Sequence, residues 1–191
     1  DITDTRKKTE SFKRLQPANI RSEVASFTFG GITESAQAPA LQKISPTILS
    51  RDSLVIAGDG IYAKVSLASF NPKGHKIQYD DEAEKIPIRI DRKTYYGDYG
   101  KMPVTSVQSI ILTINGDTVH IPQEAYSDLM NMKFSYLNSG AERTNDGIFI
   151  SKDHKRIYLY LFSKGNTSSY EVTFIIQDKS YLKRVLDYDL L

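Results

Sequence analysis

The residues best suited to ligand binding lie close together between positions 92 and 100. The candidate ligand-binding residues in this segment are Arg92, Tyr95, Tyr96, Asp98 and Tyr99. A tyrosine ring buries apolar area while its hydroxyl still finds a hydrogen-bond partner, so such rings stack on sugars or anchor a protein partner. The alternative is structural: Tyr95 and Tyr96 continue a strand, and one ring fills the end of a barrel. Tyrosine is frequent throughout the chain, with 12 residues, which favours the structural alternative.

The sequence contains no recognisable catalytic motif. Its three histidines, His75, His120 and His154, have neither the i,i+4 nor the i,i+2 spacing that places two imidazoles on one face of a helix or strand. His154 follows Asp153, and such a pair can orient an imidazole as a general base. However, no Gly-x-Ser-x-Gly nucleophile motif accompanies it, and no Walker or Gly-x-Gly-x-x-Gly phosphate loop occurs. We therefore expect the histidines to be structural.

The composition predicts neither a metal site nor a cofactor. The chain has no cysteine, which excludes disulfides, zinc–thiolate sites, iron–sulfur clusters and a cysteine nucleophile. The acidic residues Asp80, Asp81, Glu82 and Glu84 are of the type that binds calcium. Consecutive carboxylates rarely point at one centre, so this run predicts a solvated loop.

Charge and hydropathy restrict the partners. The 25 basic and 23 acidic side chains nearly balance, whereas a nucleic-acid-binding protein is usually strongly basic. No stretch reaches the roughly 18 apolar residues of a transmembrane helix. The first residue is Asp1 rather than Met, and cysteine is absent. From these two features we expect a processed, exported protein in the periplasm or outside the cell, as a monomer or small homo-oligomer.

Alternating apolar residues predict a mainly β fold, an antiparallel meander forming a sandwich or a partly open barrel. The segment 156–163 is apolar on both faces, which predicts a central strand covered on both sides. Asn115-Gly116 tolerates positive φ at both central positions of a turn and predicts a β-hairpin. The other predicted strands are 23–29, 53–57, 61–67, 75–79, 86–90, 108–114, 117–121, 147–151, 170–177 and 181–188.

The remaining segments are expected to be helix, loop or arm. Pro122 suits a first helical position, so residues 123–130 predict one short helix. Residues 32–52 and 131–146 predict loops, the first with a short extended piece at 40–44. Residues 1–22 predict a polar N-terminal arm with a possible short helix at 10–15, and residues 23–191 a single β-rich domain.

Two functions of different classes agree with this pattern. The first is an exported, non-enzymatic β domain that binds a protein partner or a surface glycan through loops at the rim of the sheet. The second is a small hydrolase or lyase that uses carboxylates with His154 or His120. A weaker third possibility is an assembly component whose arm becomes ordered on a neighbouring subunit. A concave site with converging carboxylates favours the enzyme, and an exposed aromatic patch favours the binder.

Overall fold

The alternating apolar segments form the strands of two stacked antiparallel sheets. A computed structural model describes residues 11–81, 83–98 and 100–190. The strands are β1 (Gln42–Ile44), β2 (Pro46–Leu49), β3 (Ser53–Gly58), β4 (Ile61–Ser69), β5 (Ile77–Tyr79), β6 (Pro87–Ile90), β7 (Thr105–Ile114), β8 (Asp117–Thr118), β9 (Tyr136–Asn138), β10 (Ala141–Arg143), β11 (Gly147–Ile150), β12 (Arg156–Lys164), β13 (Ser169–Gln177) and β14 (Ser180–Tyr188). The helix α1 spans Ala18–Ala25, and short 3-10 turns occupy Phe12–Arg14, Ile32–Gln37, Pro72–Gly74 and Gln123–Ala125.

Two five-stranded sheets make up the sandwich. The first has the order β1-β11-β12-β13-β14 and the second the order β2-β3-β4-β7-β8, while β5-β6 and β9-β10 are separate two-stranded sheets. The inner faces share one apolar core, in which Leu159 and Phe174 of the first sheet join Leu54 and Leu112 of the second. Residues 157–163 of β12 are all buried, so the prediction of a central, doubly covered strand is confirmed. The predicted mainly β sandwich is likewise confirmed.

The turn chemistry also agrees with the sequence. Asn115 and Gly116 have φ of 51° and 84° and connect β7 to β8. Asp59 and Gly60, with φ of 51° and 77°, connect β3 to β4 in the same manner. Positive φ at both central residues gives the turn a twist that matches its strands. These two hairpins fix the register of the second sheet, and thereby which side chains enter the core.

The N-terminal segment departs from the prediction. Residues 23–29 were expected to form a strand, but Ala18–Ala25 form α1, which lies against the outer face of the first sheet. Ile20 and Val24 are four residues apart, so both point at Tyr158 and Ile175 of that sheet. The helix ends at Ala25, so the alternating residues 26–29 follow it as a turn, and packing of Ile20 and Val24 against the sheet favours the helix.

The expected solvated arm is also corrected over its described part. Phe12 and Leu15 are buried in the same cluster as α1, and a 3-10 turn at Phe12–Arg14 replaces the suggested short helix. Residues 1–10 of the predicted arm lie outside the described residues. The outer face of the second sheet, in contrast, exposes Ile48, Tyr62 and Ile111.

The predicted helix at 123–130 is wrong beyond its first turn. Gln123–Ala125 form a 3-10 turn, and the chain then extends, so that Met130 N donates to Tyr96 O and Tyr96 N donates to Asp128 O. Backbone pairing with the 92–100 segment therefore replaces helical hydrogen bonds. The loop predicted at 131–146 contains the β9–β10 hairpin, and the loop predicted at 32–52 contains β2 as well as β1. Within the described residues, no helix has the length and apolarity to cross a membrane.

Candidate functional site

A cleft of about 630 Å³ lies at one end of the sandwich. It opens where β2, β4 and β12 end and where β3, β7 and β13 begin, so loops from both sheets form its walls. Its apolar floor continues the main core and consists of Leu49, Leu67, Met132 and Phe134. Its polar and charged side chains include Arg51, Asp52, Asp98, Asn131, Lys133, Glu142 and Asn166. We refer to this cavity as the end cleft.

Asp98 connects three of the loops that form the end cleft. Its Oδ1 accepts hydrogen bonds from Thr167 Oγ1 at 3.2 Å and from Ser168 Oγ at 3.3 Å. Its Oδ2 accepts from Asn131 Nδ2 at 3.3 Å, and its backbone N donates to Ser168 Oγ at 2.9 Å. A carboxylate with this many donors is held in one orientation, because each alternative rotamer breaks several bonds.

Asn131 links Asp98 to the neighbouring wall of the cleft through hydrogen bonds. Its Oδ1 accepts the backbone N–H groups of Val104 at 2.8 Å and Thr105 at 3.2 Å. Asn131 has a φ of 47°, a left-handed conformation that asparagine tolerates better than most residues. The amide therefore joins the start of β7 to Asp98, and the polar side of the cleft is fixed before any ligand arrives.

A glycine is required beside Asp98. Gly97 has a φ of 107°, and a Cβ at this position would lie 2.1 Å from Met130 O. Any other residue would push the 97–98 backbone away from Met130. The close approach of these two backbones thus sets the position of the Asp98 side chain.

Tyr95, the first of the predicted stacking rings, is fully buried. Its hydroxyl contacts Pro87 O at 3.0 Å and Lys101 O at 3.1 Å, and it accepts from Gly100 N at 3.3 Å. The ring packs in a small cluster with Phe70, Ile90 and Met130. Tyr95 therefore holds the loop together from inside, which corrects the expectation of a ring that faces a ligand.

Tyr96 points into the main core and is also unavailable for stacking. It is 3% exposed, and its ring centroid lies 6.1 Å from that of Tyr188 and 5.9 Å from Cζ of Arg184. Tyr99 lies outside the described residues. Of the predicted residues that the structure describes, Asp98 is the one that lines the end cleft.

Arg92 lies apart from Asp98, on a different depression. Ile90 N donates to Lys93 O and Lys93 N donates to Ile90 O, and Asp91 and Arg92 between them have φ of 52° and 67°. This is a two-residue hairpin turn that exposes Arg92. The sequence segment 92–100 thus contributes to two separate surfaces, and only its end reaches the cleft.

We expect Tyr95→Phe to lower the free energy of unfolding by about 1–2 kcal/mol without changing the fold. The substitution removes the hydroxyl that donates to a buried carbonyl and accepts from Gly100 N. Chemical denaturation measures the loss, and Tyr62→Phe on an exposed strand is the matched control, with little change expected. Equal stability of the Tyr95 variant and the wild type would contradict the structural role of the hydroxyl.

The histidines lie away from the end cleft. His120 and His154 are exposed, and His75 Nδ1 lies 2.6 Å from Asp91 Oδ2. This hydrogen bond from His75, together with that from Lys76 N, lowers the pKa of Asp91. The described part of the chain has no cluster of three or more side chains suited to a metal ion. In the acidic run, Asp81 Oδ1 accepts from Ala83 N and Glu84 N, whereas Glu82 lies outside the described residues.

Several buried carboxylates escaped the sequence analysis: Glu171 lies within an apolar strand, Asp146 directly before one, and Glu23 on α1. Glu171 on β13 is 2% exposed and accepts from Phe29 N at 3.0 Å, Gly30 N at 2.7 Å and Tyr160 OH at 2.5 Å. Burial raises the pKa of Glu171, against the effect of those three hydrogen bonds. Glu23 binds Arg156 Nε at 2.5 Å on the same sheet face. These groups dock the N-terminal segment on the outer face of the first sheet.

Asp146 is the most deeply buried carboxylate. Its Oδ1 accepts from Phe162 N at 2.8 Å, while its Oδ2 has no hydrogen-bond partner among the described residues. Burial raises the pKa of Asp146 well above its usual range. The group is outside the end cleft, so it bears on stability rather than on binding.

Comparisons of the chain with protein-family models, with curated proteins and with solved structures give no significant match.

Proposed function

We propose that the protein is a carbohydrate-binding β-sandwich domain that holds part of a surface glycan in the end cleft. The observation that carries the proposal is the combination of an apolar floor with a polar wall already fixed by Asp98 and Asn131. A sugar ring presents apolar C–H groups on its faces and hydroxyls around its edge. Carboxylate and amide side chains that are held in place bind those hydroxyls without a large ordering cost.

The size and shape of the cleft support a glycan over a protein partner. Clefts of about 300–1,000 Å³ are typical of small-ligand sites, and 630 Å³ falls within this range. A protein partner typically covers about 800 Å² of surface, which is larger than a cleft at the end of a sandwich. The proposal therefore names a glycan, and a protein partner becomes an outcome of the test.

The charges of the cleft support a ligand rich in hydroxyls and without strong charge. Arg51 and Lys133 face the carboxylates of Asp52, Asp98 and Glu142. Cations and anions thus nearly balance, which disfavours a ligand of high charge of either sign. Glu142 Oε1 also accepts from Ser135 Oγ at 2.7 Å, so a second carboxylate of the wall is oriented.

The alternative hydrolase would use the same carboxylates. Asp98 is poorly suited to acid–base catalysis, because both of its oxygens already accept hydrogen bonds from Thr167, Ser168 and Asn131. The three histidines are not among the residues that line the cleft within the described ranges. Binding without cleavage is thus the better supported proposal, and product analysis separates the two.

The test is an oligosaccharide array followed by calorimetric titration with the neutral oligosaccharide that binds. We expect Asp98→Ala to weaken binding by about tenfold or more, because the loops at Ser168 and Asn131 lose their common acceptor. Asp98→Asn keeps one acceptor oxygen and should lose less. Asp80→Ala, which removes an exposed carboxylate outside the cleft, is the matched control.

The controls decide between the functions. Equal affinity of wild type and Asp98→Ala would contradict a site at the end cleft. Shortened products after incubation with the wild type would show the hydrolase instead. A location outside the cytoplasm is part of this proposal, because a protein there has access to a surface glycan. Cell fractionation tests this location.

A further inference from the structure

A second surface of this chain has the chemistry of an anion-binding site. A shallow depression of about 500 Å³ is lined by Lys73, Gly74, His75, Lys76, Asp91 and Arg92. Three permanent cations thus face one carboxylate, in a chain whose overall charge is only +2. Lys93 follows Arg92 and lines the neighbouring depression, which shares His75 and Asp91. We refer to Lys73, Lys76, Arg92 and Lys93 as the basic patch.

Asp91 does not neutralise the cations of its depression, and the neighbouring depression at Lys93 adds the carboxylates of Glu124 and Asp128, of which Asp128 binds Arg184. Asp91 Oδ2 binds His75 Nδ1 at 2.6 Å, and its Oδ1 accepts from Lys76 N at 2.9 Å. In the part of the chain that the structure describes, no salt bridge within 4 Å involves Lys73, Lys76 or Arg92. Asp91 therefore shapes the turn, while the lysine and arginine side chains remain available to an external anion.

Arg92 occupies a position that favours a different residue. It is the second central residue of the two-residue turn between Ile90 and Lys93 and has a φ of 67°. Glycine is preferred there because a left-handed conformation strains a residue with a Cβ. A glycine substitution at position 92 removes the charge while it relieves the backbone. Loss of binding can thereby be separated from loss of folding.

We propose that the basic patch binds a sulfated oligosaccharide. The patch is open and solvated, so each cation contributes little by itself, and a single small anion would bind weakly. A chain of sugars with several sulfates engages several cations together. The lining of the patch offers no apolar side chain for a lipid. Its one ring is that of His75, which stacks on Phe70 with centroids 4.8 Å apart, so the lining has no row of aromatic side chains on which successive nucleic-acid bases could stack.

This site is independent of the end cleft. Asp98 lines the cleft but neither depression of the basic patch. None of the four patch residues lines the cleft. Failure of the glycan proposal for the end cleft therefore leaves this inference intact, and the reverse also holds.

The experiment is a titration of the full chain with a sulfated heparin-derived hexasaccharide at low salt. We expect Arg92→Gly to weaken binding about twofold to fivefold, with a melting temperature that stays equal or rises. The triple variant Lys73→Ser, Lys76→Ser, Arg92→Ser should weaken it by about tenfold or more. Salt should weaken wild-type binding, because exposed charges are screened.

Lys179→Gly is the matched control. Lys179 has a φ of 63° in the two-residue turn between β13 and β14, so this change also removes one charge from a strained turn. We expect it to keep wild-type affinity. The proposal is overturned if Lys179→Gly weakens binding as much as Arg92→Gly, or if the hexasaccharide does not bind. Single-stranded DNA that binds equally well, with the same dependence on the variants, would also overturn it.

Discussion

Replacing Glu171 with alanine is expected to lower the free energy of unfolding by about 3–5 kcal/mol, the largest effect of any single change considered for this chain. The carboxylate is buried and accepts the N–H groups of Phe29 and Gly30 and the hydroxyl of Tyr160. Alanine leaves all three donors without their acceptor. The segment that covers the outer face of the first sheet should then detach most easily, since two of these donors belong to it.

Urea denaturation measures this loss, and limited proteolysis around residues 26–31 reports the detachment. Glu171→Gln keeps one acceptor oxygen and the side-chain volume, so it should cost less than the alanine variant. Glu124→Ala removes an exposed glutamate and should change stability by less than about 0.5 kcal/mol. A Glu171→Ala protein within 1 kcal/mol (a threshold on the order of one hydrogen bond) of the wild type would show that the segment does not depend on this carboxylate.

The second large effect is a dependence of stability on pH that originates at Asp146. Because burial raises the pKa of Asp146 in the folded state, folding favours its protonated form. The cost of this burial to the free energy of unfolding is absent below the unfolded-state pKa of an aspartate, about 3.9. It grows as the pH rises toward the folded-state pKa of Asp146. The raised pKa of Glu171 acts in the same direction. Wild-type stability should therefore decline as the pH rises above about 4.

Asp146→Asn isolates this contribution, because the amide keeps an acceptor for Phe162 N and does not titrate. The stability of the variant relative to the wild type should increase by about 1.4 kcal/mol for each pH unit until the folded pKa is passed. Denaturation curves at several pH values between roughly 4 and 8 provide the measurement. A difference between the two proteins that stays constant across this range would refute the assignment.

Exposed carboxylates act in the opposite direction but weakly. The Ser151 hydrogen bond is the largest cause that lowers the pKa of Asp153, and the His75 hydrogen bond does the same for Asp91. A carboxylate whose pKa is lower in the folded state than in the unfolded state stabilises the protein above the unfolded-state pKa. This stabilisation is lost as the pH falls through the folded-state pKa. Because solvent screens both groups, their contribution should be smaller than that of Asp146.

Much of the sandwich could be predicted from local patterns. Residues 156–163 are apolar on both faces, and burial of the strand on both sides follows from that pattern, although the pattern does not identify the N-terminal segment as the cover of the outer face. Asn115-Gly116 identifies its hairpin because few other pairs adopt positive φ twice. In contrast, α1 depends on a tertiary contact: Ile20 and Val24 pack on Tyr158 and Ile175, far away in the sequence. No local pattern distinguishes that helix from a strand.

The candidate site was predictable only at Asp98. Asn131 lies 33 residues and Ser168 lies 70 residues from Asp98, so the network that fixes the end cleft exists only after folding. The candidate ligand-binding role of Tyr95 and Tyr96 is wrong for the same reason, because both rings are buried. Their composition suits a binding loop, but hydrogen bonds to Pro87 O and Lys101 O and contact with the core take both rings inward. The residue types indicated a possible binding chemistry, whereas packing between residues distant in the sequence determined whether a ligand can reach them.

The end cleft is tested most directly by an NMR titration of the assigned protein with the neutral oligosaccharide that binds. We expect the shifted amide signals to cluster at Asp98, Asn131, Gly165 and Asn166, which surround the cleft. Signals that instead move on the exposed outer face of the second sheet, around Tyr62 and Ile111, would contradict it.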